Sequence, residues 1–181
     1  TMRFRVGGGI DNRAVMFLYF DDIKGMTLAD RSALYEKYKD KFPKEYFTKY
    51  ADRVSVLEDT TGTGRADKAT IFADGFNHPL DGPASGISYR DGKIQLACVP
   101  KIWELPDANG DLVADKKDVL FEGFGIRVSI SGHDVHGLIW GPDGKLYWSM
   151  GDRGYNVKGR EGQVFTSPGS GGVFRCNADE I

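Results

Sequence analysis

Apolar residues come in short runs of strand length, set apart by stretches rich in Gly, Asp and Asn. In "RVSVLED" (53–59) they alternate with polar positions, and in "KIQLACVP" (93–100) they form a near-continuous block. Both patterns predict β-strands, half-buried in the first case and fully buried in the second. "GISYRDGKIQLAC" (86–98) and "GLIWGPDGKLYWSM" (137–150) each read as strand, turn, strand, with Asp91-Gly92 and Asp143-Gly144 supplying the positive φ of tight hairpins. "KIWELPD" (101–107) and "GVFRCNAD" (172–179) read as third strands that lead into a loop. One stretch changes period. "TLADRSALYEKYKDKF" (27–42) puts Leu28, Leu34, Tyr35, Tyr38 and Phe42 on one face, with Thr27 as N-cap, Asp30 at N3 and Pro43 as the stop. "RAVMFLYF" (13–20) predicts a strand before that helix, and "KEYFTKYADRV" (44–54) a second short helix after it. The lysines of the helix face read as solvated, with docking of a partner as the sharper alternative.

The strand pattern repeats. "EDTTGTGRADKATIFADGF" (58–76) aligns without a gap on "PDANGDLVADKKDVLFEGF" (106–124) at an offset of 48 positions. Asp59 meets Asp107, Gly62 meets Gly110, Asp67 meets Asp115 and Phe76 meets Phe124. The two hairpins that follow repeat as well. A period of about 48 residues with several short strands per unit is the signature of β-propeller blades, each of which buries its faces only against its neighbours. The expected fold is therefore mainly β: a partial β-propeller of about two blades, from a ring expected to have six, behind a short helical N-terminal extension. The boundary falls between residues 1–52 and 53–181. A closed ring needs at least about four blades, so the chain reads as a segment whose open blade edges need the remainder of the propeller or another protein subunit.

Composition narrows the function. The chain has 181 residues, 24 basic and 26 acidic, a net charge of −2 and a pI near 5.9. That balance argues against binding nucleic acid through phosphates. No apolar run approaches the roughly 18 residues of a membrane span, and no leader pattern opens the sequence. Cys98 and Cys176 lie in apolar strands and read as core residues, with a disulfide as the lesser alternative. No haem, zinc, P-loop or nucleophile-elbow motif is present, and "VGGGIDN" (6–12) is too weak for a dinucleotide fingerprint. Trp103, Trp140, Tyr147 and Trp148 fall on repeat strands and read as core.

Two segments carry candidate chemistry. The loop 107–115 offers Asp107, Asn109, Asp111 and Asp115, an oxygen set that suits Ca²⁺. It departs from an EF-hand in the position of its glycine, and a turn held by its own Asp and Asn side chains is the alternative. The second segment, "HDVHGLIWGPDGKLYWSMGDRG" (133–154), places His133, Asp134 and His136 just before one strand and Asp152 and Arg153 just after its partner. A neutral imidazole at such a strand end suits a general base on an alcohol, and Arg153 suits an anionic cofactor or substrate oxygen. Turn-capping and core roles are the alternatives. His78, in "FNHPLDGP", reads as a channel or loop residue.

"VLEDTTGTGRADKATIFADGF", "HDVHGLIWGPDGKLYWSMGDRG" and "GGVFRCNADEI" together resemble the membrane-bound dehydrogenase propeller domain of Planctomycetes and Verrucomicrobia-type bacteria. That group is similar in turn to soluble quinoprotein glucose and aldose-sugar dehydrogenases. The resemblance covers about residues 53–181. It implies a six-bladed propeller in the periplasm or cell envelope, with pyrroloquinoline quinone and Ca²⁺ over the channel mouth. It also implies a catalytic histidine eight residues before the Gly of "GPDGK", which here is His133 before Gly141. Two functions follow as expectations. One is a segment of a quinoprotein-like sugar or alcohol dehydrogenase with His133 as base. The other is a non-catalytic scaffold or accessory subunit of a periplasmic, membrane-associated electron-transfer complex.

Overall fold

A computed structural model describes residues 17–42, 44–130 and 132–178. The fold is mainly β, built from several antiparallel sheets, none of them closed. The first sheet pairs β1 (Asp52–Glu58) with β2 (Lys68–Phe76). The second is a four-stranded meander in chain order, β3 (Ala84–Arg90), β4 (Lys93–Cys98), β5 (Lys101–Pro106) and β6 (Asp118–Glu122). The third pairs β7 (Val135–Trp140) with β8 (Leu146–Met150), and β8 with β11 (Gly172–Cys176). Between β8 and β11 the chain inserts a hairpin of β9 (Tyr155–Lys158) and β10 (Val164–Ser167).

The sequence repeat is a structural repeat. At the 48-residue offset β1–β2 correspond to β5–β6, and the hairpin motifs make β7–β8 correspond to β3–β4, with β11 in the place of β5. Among the described residues the middle sheet alone has all four strands of the unit. Its two faces bury different cores. Ile94, Leu96, Cys98 and Leu105 pack with Val54, Phe72, Ala73 and Phe76 of the first sheet. Ala97 and Ile102 pack with Val135, Leu138, Leu146, Trp148 and Met150 of the third. A strand covered on both sides has no polar face, which is why 94–98 is an unbroken buried run. Cys98 belongs to one core and Cys176 to the other, so both are buried core residues and no disulfide joins them. The Cys98 thiol donates to the Gly82 carbonyl at 3.4 Å.

The N-terminal layer differs in part from expectation. Residues 13–16 of the expected strand lie outside the described residues. Residues 17–22 are helical, ending in α1 (Tyr19–Asp22), because Asp22 is drawn inward to accept the Val128 N–H at 2.7 Å. The amphipathic helix is present as α2 (Leu28–Lys37), with Thr27 capping Asp30 N–H and a 3₁₀ turn at Lys39–Lys41. The helix expected over 44–54 is a turn, because Glu45 has φ +60° and the chain enters β1 at Asp52. Tyr46 and Phe47 thereby fold into an aromatic cluster, with Phe47 stacked on Tyr35 at 4.2 Å. This layer is docked on the sheets through Leu18, Leu34 and Val128. Asp91-Gly92 makes the expected two-residue turn with φ +51° and +78°, whereas the β7–β8 loop is longer and only Gly144 is left-handed. No described helix is long and apolar enough to cross a membrane.

The sheets meet at backbone distance. A Cβ on Gly86 of β3 would overlap the Gly137 carbonyl oxygen of β7. Exposed Gly62, at φ +69°, has nothing within 4 Å of a Cβ. Gly86→Ala is therefore expected to cost about 2–3 kcal/mol of unfolding free energy, by forcing two sheets apart. Gly62→Ala should cost only about 1 kcal/mol, the price of its backbone conformation. Urea unfolding of both variants checks the difference. Equal costs would contradict the close contact.

Candidate functional site

His133 and Asp152 flank the paired ends of β7 and β8, where Val135 opposes Met150. The chain segments close further beyond that pair. Gly151 N–H donates to the Asp134 carbonyl at 3.1 Å, and a Cβ on Gly151 would overlap the backbone of His133. Glycine at 151 thus lets the two loops approach until His133 Nδ1 lies 2.7 Å from Asp152 Oδ1. An ionised carboxylate only accepts, so Nδ1 carries the hydrogen and Nε2 of the neutral ring keeps its lone pair. Both side chains are more than half exposed, which leaves Nε2 accessible to a solute.

The neighbouring residues turn the other way. Arg153 is buried. Its Nε donates to the Val128 carbonyl at 2.8 Å and its Nη2 to Asp22 Oδ2, so the guanidinium does not face an external anion as the sequence suggested. Asp134 is buried beside it, accepting the Ser129 hydroxyl on Oδ2, while Oδ1 has no hydrogen-bond partner among the described residues. Burial holds the Asp134 carboxyl up at about 6, against the pull of Ser129, Arg31 and Arg153. Arg31, on α2, completes the group by donating to the carbonyls of Arg127 and Leu80. Asp134 therefore joins Arg153 in a buried polar cluster and does not orient His133. His136 is half-buried on β7, and its carbonyl accepts from the Ser149 hydroxyl at 3.4 Å. His78 lies in a loop, where its Nδ1 accepts the Leu80 N–H at 3.2 Å.

The acidic loop 107–115 is held together by its own backbone. Asp107 accepts from the N–H groups of Gly110, Asp111 and Leu112, and Asp115 from that of Ala108. Asp111 accepts from Val113 N–H, and Asn109 from Asp111 N–H. The first copy repeats the bonds of Asp107 and Asp115. Asp59 accepts from Thr63 and Gly64 N–H, and Asp67 from Thr60 N–H. Those N–H groups, Gly64 first for Asp59, hold both carboxyls below the usual range. A loop with Thr61 and Thr63 in place of Asn109 and Asp111 keeps these bonds, so the turn geometry alone accounts for Asp107 and Asp115. Among the described residues no group of three or more His, Cys, Asp or Glu is arranged to hold a metal. With Arg153 turned inward and these carboxylates on N–H donors, the described residues do not fit a Ca²⁺–quinone pair.

Pattern alone did not mark Asp22, Arg31, Ser129 or Gly151. Arg31 left a trace, as a charge beside the apolar face of α2. Asp22 pairs with Arg153 across more than a hundred positions, and no local signal could reveal it.

The sequence matches the model of a domain of unknown function, DUF7133, over residues 27–180. The chain belongs to the DUF7133 family. No curated protein and no solved structure matches it. The DUF7133 span opens at Thr27, the N-cap of α2, and takes in every described strand. Helix α2 and the sheets thus fall within one family unit, and α1 precedes it.

Two outcomes follow. The unfolded chain titrates Asp134 near 3.8 and the folded chain near 6, so between these values the folded state binds more protons. Its contribution to stability falls as pH rises through that window and is level above it. Asp134→Asn should therefore gain stability relative to the wild type from pH 4 to 6, read from urea midpoints; a pH-independent difference contradicts the buried carboxyl. In the acidic loop, Asp107→Ala should cost about 1–2 kcal/mol through lost N–H capping. Asp111→Ala should cost less, and millimolar Ca²⁺ should move neither midpoint.

Proposed function

We propose that the DUF7133 chain forms consecutive blades of a β-propeller and carries a carboxylate-oriented histidine base at one blade end. On this reading it is a segment of a cell-envelope dehydrogenase, quinoprotein-like in architecture, that oxidises a sugar or alcohol hydroxyl. The observation that carries the proposal is the His133 Nδ1–Asp152 Oδ1 contact of 2.7 Å between two exposed side chains. Asp152 fixes the ring and its tautomer, and Nε2 is placed to take the hydroxyl proton; the hydride leaving the carbon would need a two-electron acceptor of the quinone class, which would be reduced to the quinol. The hydride acceptor is not held by the described residues. The stacking of a four-stranded meander between two partial copies of itself supports the propeller. His136 and Asp134 have no part in the proton transfer on this reading.

A specific observation favours the second function, a scaffold within an envelope complex. On the face of the third sheet away from the core, Ile139 and Val173 stand exposed, Val173 at 79%. Its partner across the repeat, Ile102, is fully buried under the third sheet. An apolar face of this kind is built to be covered by protein.

A dye-linked oxidation screen on the natural full-length protein, across sugars and alcohols, separates the two. The dehydrogenase reading predicts that His133→Ala lowers kcat by about 100-fold or more, and that Asp152→Asn lowers it less, with the fold intact. No oxidation by the wild type leaves the scaffold reading; oxidation with an unchanged kcat in His133→Ala removes His133 as the base.

A further inference from the structure

We infer that β1 receives, along its edge away from β2, an inner β-hairpin of the β3–β4 type, supplied by the same polypeptide from outside residues 17–178. Two independent features of the fold point to this one occupant.

The first is the edge itself. β1–β2 correspond to β5–β6 by sequence offset, and also by the identical bonds of the loops that join them. In the middle sheet β5 is flanked by β6 on one side and β4 on the other. Among the described residues β1 pairs with β2 alone. An unpaired edge strand offers a row of backbone donors and acceptors that a strand can complete.

The second is the face of β3 on that side. Ile87 and Tyr89 stand 56% and 70% exposed. Their partners in the repeated hairpin are Leu138 and Trp140. Leu138 is 4% exposed, buried in the core shared with the middle sheet. Trp140 lies under the Arg90 guanidinium at 4.3 Å. What covers Leu138 and Trp140 is the inner hairpin of the preceding sheet, β3–β4. What should cover Ile87 and Tyr89 is the inner hairpin of the sheet that β1–β2 begin.

The geometry also dictates the chemistry of the occupant. Gly86 is bare so that the Gly137 carbonyl can approach it. The incoming inner strand therefore needs a glycine opposite the Gly86 carbonyl, and a cationic side chain where Arg90 sits, to lie over Tyr89. In the middle sheet the inner hairpin and the outer strands belong to one chain, and pairing within one chain benefits from high effective concentration. Both points favour the same polypeptide over a second protein. The inference rests on the repeated-sheet reading and not on the chemistry of His133.

The test uses the natural polypeptide at its full length. Hydroxyl-radical labelling of Tyr89 and deuterium exchange of residues 52–58 are compared with the urea-unfolded protein. Both are expected to slow by about tenfold or more. Ile87→Asp is expected to lower the melting temperature by several degrees, although the side chain is more than half exposed among the described residues. Tyr89 labelled at the unfolded rate, or β1 exchanging as an open edge, overturns the inference. Protection that vanishes when a co-purifying protein is removed assigns the hairpin to that protein and overturns the same-chain claim. Full protection in a protein without oxidation activity removes the catalytic reading alone; oxidation activity with Tyr89 open removes this one alone.

Discussion

The structure depends on sheet packing against sheet at backbone distance. β4 is buried on both faces, so it is stable only between two neighbours, and the chain supplies one on each side. The contact is set by glycine: at Gly86 a single methyl group would collide with the carbonyl of the next sheet. That constraint fixes how closely successive units approach. It also fixes where the ends of β7 and β8 fall relative to the middle sheet, and hence where His133 and Asp152 meet.

Around that junction the charges divide by burial. Asp22, Arg31, Asp134 and Arg153 lie inside and bind the helical layer to the sheets. Removing one member of such a buried pair is expected to cost about 3–5 kcal/mol, because the other is left without compensation. His133 and Asp152 are chain neighbours of two of these anchors, yet lie outside. The same residues that dock the N-terminal layer therefore hold the two loops from which the exposed pair projects. The helical layer is part of the site's support, through Asp22 ahead of the DUF7133 span and Arg31 within it.

Much of the fold was legible because it is written in local pattern. The 48-residue offset, the Asp-Gly turn and the buried run of β4 depend on period and turn chemistry, and they reappear as equivalent strands. The N-cap at Thr27 was legible for the same reason. Residues 17–20 and 44–54 were misread because long-range contacts decide them. Asp22 is drawn onto Val128, and Phe47 onto Tyr35, and neither partner is near in sequence. At the site, spacing brought His133 and Asp152 into one segment, but it could not tell which of two adjacent residues points outward. Asp152 points outward and Arg153 inward, and His133 and Asp134 divide in the same way. In the acidic loop, residue types that suit a cation equally suit a backbone turn, and the repeat with threonines separates the two.

Repeated sheets bring His133 to Asp152, and the carboxylate sets the tautomer of the ring. Nitrogen-15 NMR of the His133 ring, recorded at a pH where the ring is neutral, reads that tautomer. Hydrogen is expected on Nδ1 in the wild type and is expected to leave Nδ1 in Asp152→Ala, where the ring reverts to the Nε2–H form usual for free imidazole side chains. A wild-type ring already in the Nε2–H form would contradict this.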